Sequence, residues 1–341
     1  MNMKAKEKLA IIGATGLVGE EFQKLLAKHD LLKDFEVLRF RRSRNEQECE
    51  WSLSEDSDKL SSCKYIFNAA SSDAALQVGK DLRKDQYLID NSSAYRMHSQ
   101  VPLVVPEVNG HLITKDQNIF ANPNCTACIL CVSLVPLKKY GIKQLFVSTY
   151  QAASGAGKEG LEELRNQLSL SANSYKSAYA KGETSTKIFG FPLGRNVMSH
   201  NSAVRGNDDE APGFNDEEFK VIQETRKIMG LEQLPIAVTC MRVPVERAHT
   251  ETVVVDLEKA FDLKTLKEEF QQQLGIQVVD DAVKNHFPMP IEADGQNDVF
   301  VGRLRKDPTI EKRLLYLISG DQLLKGAAWN AFQIFQKLMS L

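Results

Sequence analysis

The sequence predicts a two-domain α/β protein: a Rossmann-like doubly wound domain, then an α+β domain built on a mixed sheet. Three observations predict it. Near the N-terminus an apolar strand, Lys8 to Ile12, runs through a glycine-spaced turn into an amphipathic helix ending at Lys28. Up to about Tyr140, short apolar runs alternate with helical periods, the rhythm of a parallel sheet. Beyond it, strands follow one another without regular helices between them, which indicates antiparallel or mixed pairing.

The elements follow in order. After the first strand comes Gly13-Ala14-Thr15-Gly16-Leu17-Val18-Gly19 and a helix, Glu20 to Lys28. The spacing is Gly-x-x-Gly-x-x-Gly. Such glycines let the backbone turn tightly and approach a pyrophosphate, whose charge meets the helix N-terminus. A second strand, Phe35 to Phe40, ends in a basic run: Arg39, Arg41, Arg42, Ser43 and Arg44. An acidic residue there would hold a ribose 2′-hydroxyl, whereas guanidinium groups accept a 2′-phosphate, so the run points to NADP. Leu53 to Ser62 reads as a short edge strand and loop. Tyr65 to Ala70 is a buried strand, Ser71-Ser72-Asp73 caps a helix from Ala74 to Leu82, and Tyr87 to Asp90 is a fourth strand, followed by Asn91 to Arg96. Polar residues at these strand ends face the ligand crevice of such sheets.

Asn122-Pro123-Asn124-Cys125-Thr126 then turns into an apolar run from Ala127 to Leu137. Asn124 is a good N-cap, and a helix N-terminus favours thiolate over thiol. Cys125 therefore reads either as an activated nucleophile or as a small buried core residue. Cys125, Cys128 and Cys131 are spaced by three, but an iron–sulfur cluster lacks its fourth ligand here, so the two later cysteines read as core and no metal is expected. In the second half, strands are expected at 144–150, 236–243, 251–257, 299–304 and 313–319. Helices are expected at 161–168, 217–229 and 261–274, with a last helix at 321–340 that returns to the first domain. Gln151 to Gly160 is a glycine loop opening a helix. Ser171 to Thr186 is polar, with few core anchors, and reads as an excursion or a subunit contact. The domains are thus assigned as residues 1–124 with 320–341, and 125–319.

The 341 residues suffice for two cores, and 43% hydrophobic with 26% charged residues is ordinary for a globular protein. A net charge of −2 and a pI of about 6.4 argue against a general nucleic-acid or anionic-membrane partner. No apolar run approaches ~20 residues, and Met1 to Lys8 leads straight into a strand without a signal-peptide core. Six cysteines are too few for a disulfide scaffold in this length, so a reducing cytoplasm is expected. A nucleophilic cysteine needs an acid–base partner. Among six histidines His249 stands out, in a loop between two strands, seven positions after Arg242 at a strand end. His98, His200 and His286 have no comparable setting.

Taken together, the glycine turn 13–19, Asn122 to Thr126, Thr149 to Gly157, Glu217-Glu218-Phe219-Lys220, Arg242 to Val245 with His249, and Lys325 to Ala328 resemble the bacterial-type aspartate-semialdehyde dehydrogenase family. The matches run in order from residue 8 to residue 330. The resemblance implies NADPH-dependent reductive dephosphorylation of aspartyl 4-phosphate to aspartate 4-semialdehyde, in lysine/diaminopimelate, methionine and threonine biosynthesis. It implies Cys125 as the nucleophile that becomes a thioester, His249 as proton shuttle, and Gln151 as the group orienting substrate or steadying an oxyanion. Arg242 would clamp the α-carboxylate through a bidentate pair and Glu217 would meet the amino group. Arg96 and Lys220 would hold phosphate, and Asn124 would join them at the substrate. NADP would be held by Gly13, Thr15, Gly16, Leu17, Val18, Arg42, Ser43, Ser71, Ser154, Gly155 and Lys325. A homodimer is implied, with a tetramer left open. Two departures stand out: Ala248 where the family usually has glycine before the histidine, and Phe40 where a serine is usual on the 2′-phosphate loop, which leaves NAD open as a substitute. A reductase of another acyl phosphate, such as N-acetylglutamyl phosphate, and a catalytically silent NADP-binding homologue are the alternatives.

Overall fold

A computed structural model of the chain describes residues 6–41, 51–53 and 55–341. The chain divides into two compact units. The first comprises residues 1–124, 227–229 and 326–341, the second residues 125–226 and 230–325.

The first unit is a six-stranded sheet of β1 (Glu7–Ile12), β2 (Phe35–Arg41), β3 (Trp51–Ser52), β4 (Tyr65–Asn68), β5 (Tyr87–Asp90) and β6 (Ile119–Ala121). Its order is β3-β2-β1-β4-β5-β6 and every pairing is parallel. This is the doubly wound dinucleotide-binding order, with its switch point between β1 and β4. Because both faces are covered, the strands read as near-continuous apolar runs. On one face Phe22, from the helix Leu17–Lys28, stacks on Phe67 at 4.1 Å and meets Phe332 and Phe335 of the helix Trp329–Ser340. On the other, Ala10, Ile12, Leu38, Phe40 and Ile66 pack with Ala74 and Val78 of the helix Ser72–Lys80. Phe40 is thus a core residue, which accounts for an apolar side chain in an otherwise basic run. The edge strand is Trp51–Ser52, just before the stretch Leu53 to Ser62 where the sequence places it, and Ser57–Ser61 within that stretch is a short helix rather than strand or loop.

The second unit is built on a seven-stranded mixed sheet: β7 (Ile142–Gln151), β8 (Met198–Ser199), β9 (Ile236–Arg242), β10 (His249–Leu257), β11 (Ile276–Val278), β12 (Val299–Lys306) and β13 (Arg313–Gly320), in the order β11-β12-β13-β10-β7-β9-β8. Strand β7 runs parallel to β9 and antiparallel to β10. Along β10 buried and half-buried residues alternate strictly, so one face is core. The helix Cys125–Leu134 is buried on all sides after its first residue, as an all-apolar helix must be. Cys128 and Cys131 lie in that core. The polar stretch after residue 170 forms the helix Ala172–Ala180, capped by Ser171 and anchored by one buried residue, Tyr175.

The sheet's directions explain the site. Gln151 and Arg242 are paired at the C-terminal ends of parallel β7 and β9. Antiparallel β10 begins beside them, with Thr250 opposite Tyr150. Three chemistry-bearing residues, Gln151, Arg242 and His249, therefore meet at one end of one sheet. His249 is the first residue of β10 rather than a loop residue, because its pairing with Gly320 of β13 extends the strand by two residues.

Candidate active site

Cys125 opens the helix Cys125–Leu134 and is partly exposed. Its Sγ lies 3.4 Å from His249 Nε2. The Ala152 N–H donates to His249 Nδ1 at 3.0 Å. A ring nitrogen that accepts carries no proton, so the neutral ring holds its proton on Nε2, directed at the sulfur. The ring is fully buried, and burial followed by the Arg242 charge pushes its pKa down to about 3. His249 thus stands as a neutral donor toward Cys125. The Ala248 backbone just before it takes φ 70°, the left-handed conformation in which glycine is the usual residue. Its N–H donates to Gln322 Oε1 at 2.8 Å, so the turn keeps its shape with alanine in it.

Gln151 is buried at the end of β7. Its Oε1 accepts from the Thr149 hydroxyl at 3.0 Å, and its Nε2 donates to Glu217 Oε1 at 3.1 Å. Glu217 sits in the first turn of the helix Asp216–Met229, where the dipole favours a carboxylate. Lys220 Nζ is 3.9 Å from its other oxygen and is partly exposed. Arg242 is almost wholly buried, and burial lowers its pKa while the Glu217 charge opposes the shift. Its Nη1 donates to Ala152 O at 3.0 Å, and Nε and Nη2 both donate to Asn201 Oδ1, at 3.3 and 3.1 Å. Nη2 also donates to His200 Nε2 at 2.6 Å. The bidentate edge of the guanidinium thus holds Asn201, so a carboxylate taking that edge would replace it. His200 does have a special setting, contrary to the sequence reading. The β8–β9 pairing of Met198 with Arg242 sets it beside a strand end 42 positions away, which no local pattern reveals.

Gly155 lies over these groups: a Cβ there would meet Arg242 Nη1 at 3.2 Å and His249 Cε1 at 3.4 Å. Ser154, by contrast, is buried, with its hydroxyl donating to Glu246 O and accepting from Gln322 Nε2. These bonds hold the loop in place. Lys325 is fully buried at a π-turn, Leu324–Ala328, and its carbonyl accepts from Cys128 Sγ at 3.1 Å. Glu251, two residues along β10 from His249, is also fully buried. Neither of its oxygens has a hydrogen-bond partner among the described residues, and burial raises its pKa well above the carboxylate range.

In the first unit the glycine turn is fitted for close backbone approach. Gly13 has φ 78°, and a Cβ on it would stand 2.9 Å from Ala69 O. One on Gly19 would collide with Gly13 O. Gly16 caps the following helix without a side-chain hydrogen bond. Thr15, Leu17 and Val18 lie in the same turn and the helix's first residues. Ser71 Oγ accepts from Ala74 N–H, capping the next helix at the end of β4. This arrangement fits a pyrophosphate held by backbone N–H groups. Arg39 is exposed on β2, whereas Arg42, Ser43 and Arg44 lie outside the described residues. Arg96 Nη2 donates to Asn91 O at 3.0 Å, and Lys227 Nζ donates to the carbonyls of Arg96, His98 and Val101. Asn124 is buried immediately before the cysteine helix. Among the described residues no cluster of three metal-ligating side chains occurs, and no helix is long and apolar enough to cross a membrane.

A doubly wound dinucleotide domain, in a chain whose second unit pairs a cysteine with a histidine, defines a class: nicotinamide-dependent oxidoreductases. Residues 8–116 match the family described as semialdehyde dehydrogenase, NAD binding domain, and residues 134–325 match semialdehyde dehydrogenase, dimerisation domain. The chain is 37% identical over 350 residues to aspartate-semialdehyde dehydrogenase of Synechocystis sp., covering 99% of this chain and 98% of that one. It is 37% identical over 347 residues to the Aquifex aeolicus enzyme, covering 97% and 98%. Among solved structures, aspartate semialdehyde dehydrogenase II of Vibrio cholerae complexed with ASA matches with a TM-score of 0.87 at 29% identity over 99% of each chain. The chain belongs to the aspartate-semialdehyde dehydrogenase family. It is an oxidoreductase acting on an aldehyde with phosphate, and its first unit is a nicotinamide-dinucleotide domain.

Proposed function

We propose that the chain catalyses NADPH-dependent reductive dephosphorylation of L-aspartyl 4-phosphate to L-aspartate 4-semialdehyde, and the reverse phosphorylating oxidation. The observation that carries this is Cys125 Sγ at 3.4 Å from a donor nitrogen of buried His249, with Arg242 and Glu217 buried in the same unit. An acyl phosphate with an amino-acid head has two anionic ends and one cationic group. Arg242 meets the α-carboxylate and Glu217 the ammonium, while Gln151 holds Glu217 in place. Lys220, Arg96 and Asn124 complete the substrate set, the two cations holding phosphate.

The Cys125 thiolate, favoured by the helix N-terminus and the Nε2–H, attacks the acyl carbon. The carbon–oxygen bond to phosphate breaks, phosphate leaves with the electron pair, and a thioester remains on the sulfur. A nicotinamide dinucleotide held by the first unit would supply the hydride equivalent that the thioester needs to reach the aldehyde level. His249 Nε2–H donates to the negative oxygen or sulfur at each stage, and collapse returns the electrons to sulfur as the carbon–sulfur bond breaks. No net proton transfer to sulfur is needed, so a neutral donor suffices.

Gly13, Thr15, Gly16, Leu17, Val18, Ser71, Ser154, Gly155 and Lys325 would hold the dinucleotide. Arg42 and Ser43 would select the 2′-phosphate of NADP. The family's dimerisation domain supports a homodimer, and the free thiols of the described cysteines suit the cytoplasm. The product would feed lysine/diaminopimelate, methionine and threonine synthesis. Phosphate-dependent reduction of NADP with aspartate semialdehyde tests the reading. Turnover is expected with it and not with N-acetylglutamate semialdehyde, whose acylated amine needs no counter-charge. Folded protein that turns over neither, or only the second, overturns it.

A further inference from the structure

We infer that His200 is a positioning residue for the substrate-carboxylate arginine, acting as a neutral hydrogen-bond acceptor that fixes the plane of the Arg242 guanidinium and ties it to the helix bearing Glu217. The inference rests on the proposed roles of those two residues and concerns a side chain outside them.

The bonds run in one direction. Arg242 can only donate, so His200 Nε2, 2.6 Å from Nη2, accepts and carries no proton. The proton of the neutral ring is then on Nδ1, 3.1 Å from Ser202 Oγ, which accepts it. The Ser202 N–H also approaches Nδ1, at 3.2 Å, but the shorter, charge-assisted bond at the other nitrogen decides the tautomer. The same Ser202 oxygen accepts from the Glu217 N–H at 3.2 Å. A continuous relay thus joins Arg242, His200, Ser202 and the backbone of Glu217, linking the residues proposed to read the two ends of an α-amino acid. Asn201, anchored by its Nδ2 on Ile188 O at 3.0 Å, holds the other edge of the guanidinium.

The electrostatics agree. Arg242 faces the ring from β9, Glu217 and Lys220 from the helix, and burial and the Arg242 charge lower the His200 pKa to about 4. A protonated ring would set one cation against another and withdraw the acceptor. Once a substrate carboxylate takes the edge that Asn201 holds, His200 and Ala152 O are the acceptors left to fix the guanidinium plane, and bidentate recognition of a carboxylate tolerates little tilt.

The test compares His200→Gln with His200→Leu in full steady-state kinetics. Glutamine offers an oxygen to Arg242 and an N–H to Ser202, whereas leucine fills the space and offers neither. With leucine, KM for aspartate semialdehyde rises about tenfold to a hundredfold, while KM for phosphate and for NADP stays within about twofold and kcat falls far less than KM rises. Glutamine restores most of the loss. Ser202→Ala, which frees the ring tautomer, shifts the same KM in the same direction and keeps the inference testable if the leucine variant does not fold. An unchanged KM for the semialdehyde in the leucine and serine variants, equal impairment by glutamine and leucine, or parallel rises in all three KM values would overturn it. Wild-type protein that does not turn over aspartate semialdehyde would instead overturn the proposed function.

Discussion

His249 is held by the Ala152 N–H on one ring nitrogen and faces Cys125 Sγ at 3.4 Å with the other. The backbone therefore sets which nitrogen carries the proton, and the histidine stands toward the sulfur as a donor. The pair is a property of the β7–β10 junction, since Ala152 follows β7 and His249 opens β10.

A covalent role for Cys125 gives the first prediction. Cys125→Ala lowers kcat by about a thousandfold or more, whereas dinucleotide affinity measured by fluorescence titration changes little. Mass spectrometry of wild-type protein quenched during turnover finds an acyl adduct on the peptide carrying Cys125. Retained activity in the alanine variant would remove the covalent mechanism.

For His249, a ring neutral down to about pH 3 adds no acid limb to the rate between pH 8 and 5. His249→Asn lowers kcat by about a hundredfold to ten-thousandfold at every pH in that window. Stability behaves differently. The unfolded ring takes a proton near pH 6.5 and the folded one only near pH 3. Folding is therefore weakened as pH falls through that window, by about 1.4 kcal/mol per pH unit. Denaturant titrations of wild type and variant across pH 7 to 5 measure the difference.

A side chain at Gly155 would crowd Arg242 and His249. In Gly155→Ala the new carbon would press on Arg242 Nη1 and His249 Cε1, at 3.2 and 3.4 Å. We expect kcat/KM for aspartate semialdehyde to fall about tenfold to a hundredfold, because small displacements at a reacting centre are costly. The residue is exposed, so the melting temperature should move by no more than about 2 °C.

Glu251 carries a stability penalty that depends on pH. Its folded pKa is raised by burial, so the folded carboxyl stays protonated where the unfolded one has ionised. Stability is therefore lost as pH rises above the unfolded value near 4.5, by about 1.4 kcal/mol per unit until the folded group ionises. Glu251→Gln keeps the neutral shape and should raise the melting temperature at pH 8, with the gain shrinking toward pH 5. Equal melting temperatures across that range would show the carboxyl to be ionised in the fold.

The first unit was largely legible in the sequence. A glycine turn between an apolar strand and an amphipathic helix is a local pattern, and its physics is local: positive φ at Gly13 and a helix N-terminus after Gly16. Cys125 was legible for the same reason, since a turn of Asn and Pro before an apolar run marks where a helix begins. Phe40 was less so, because a core position on β2 looks like an oddity in a basic run until its face of the sheet is known.

The amino-acid order by itself determined the alternation of strand and helix, the dinucleotide turn and the candidate nucleophile, because backbone sterics, glycine freedom and apolar period act over a few residues. Only the tertiary structure decided that His249 begins a strand, which of its nitrogens bears the proton, and that His200 grips Arg242. Those facts depend on β7, β9 and β10 meeting at one sheet end and on β8 pairing with β9. Hydrogen bonds between residues 42 to 124 positions apart leave no mark on local sequence pattern.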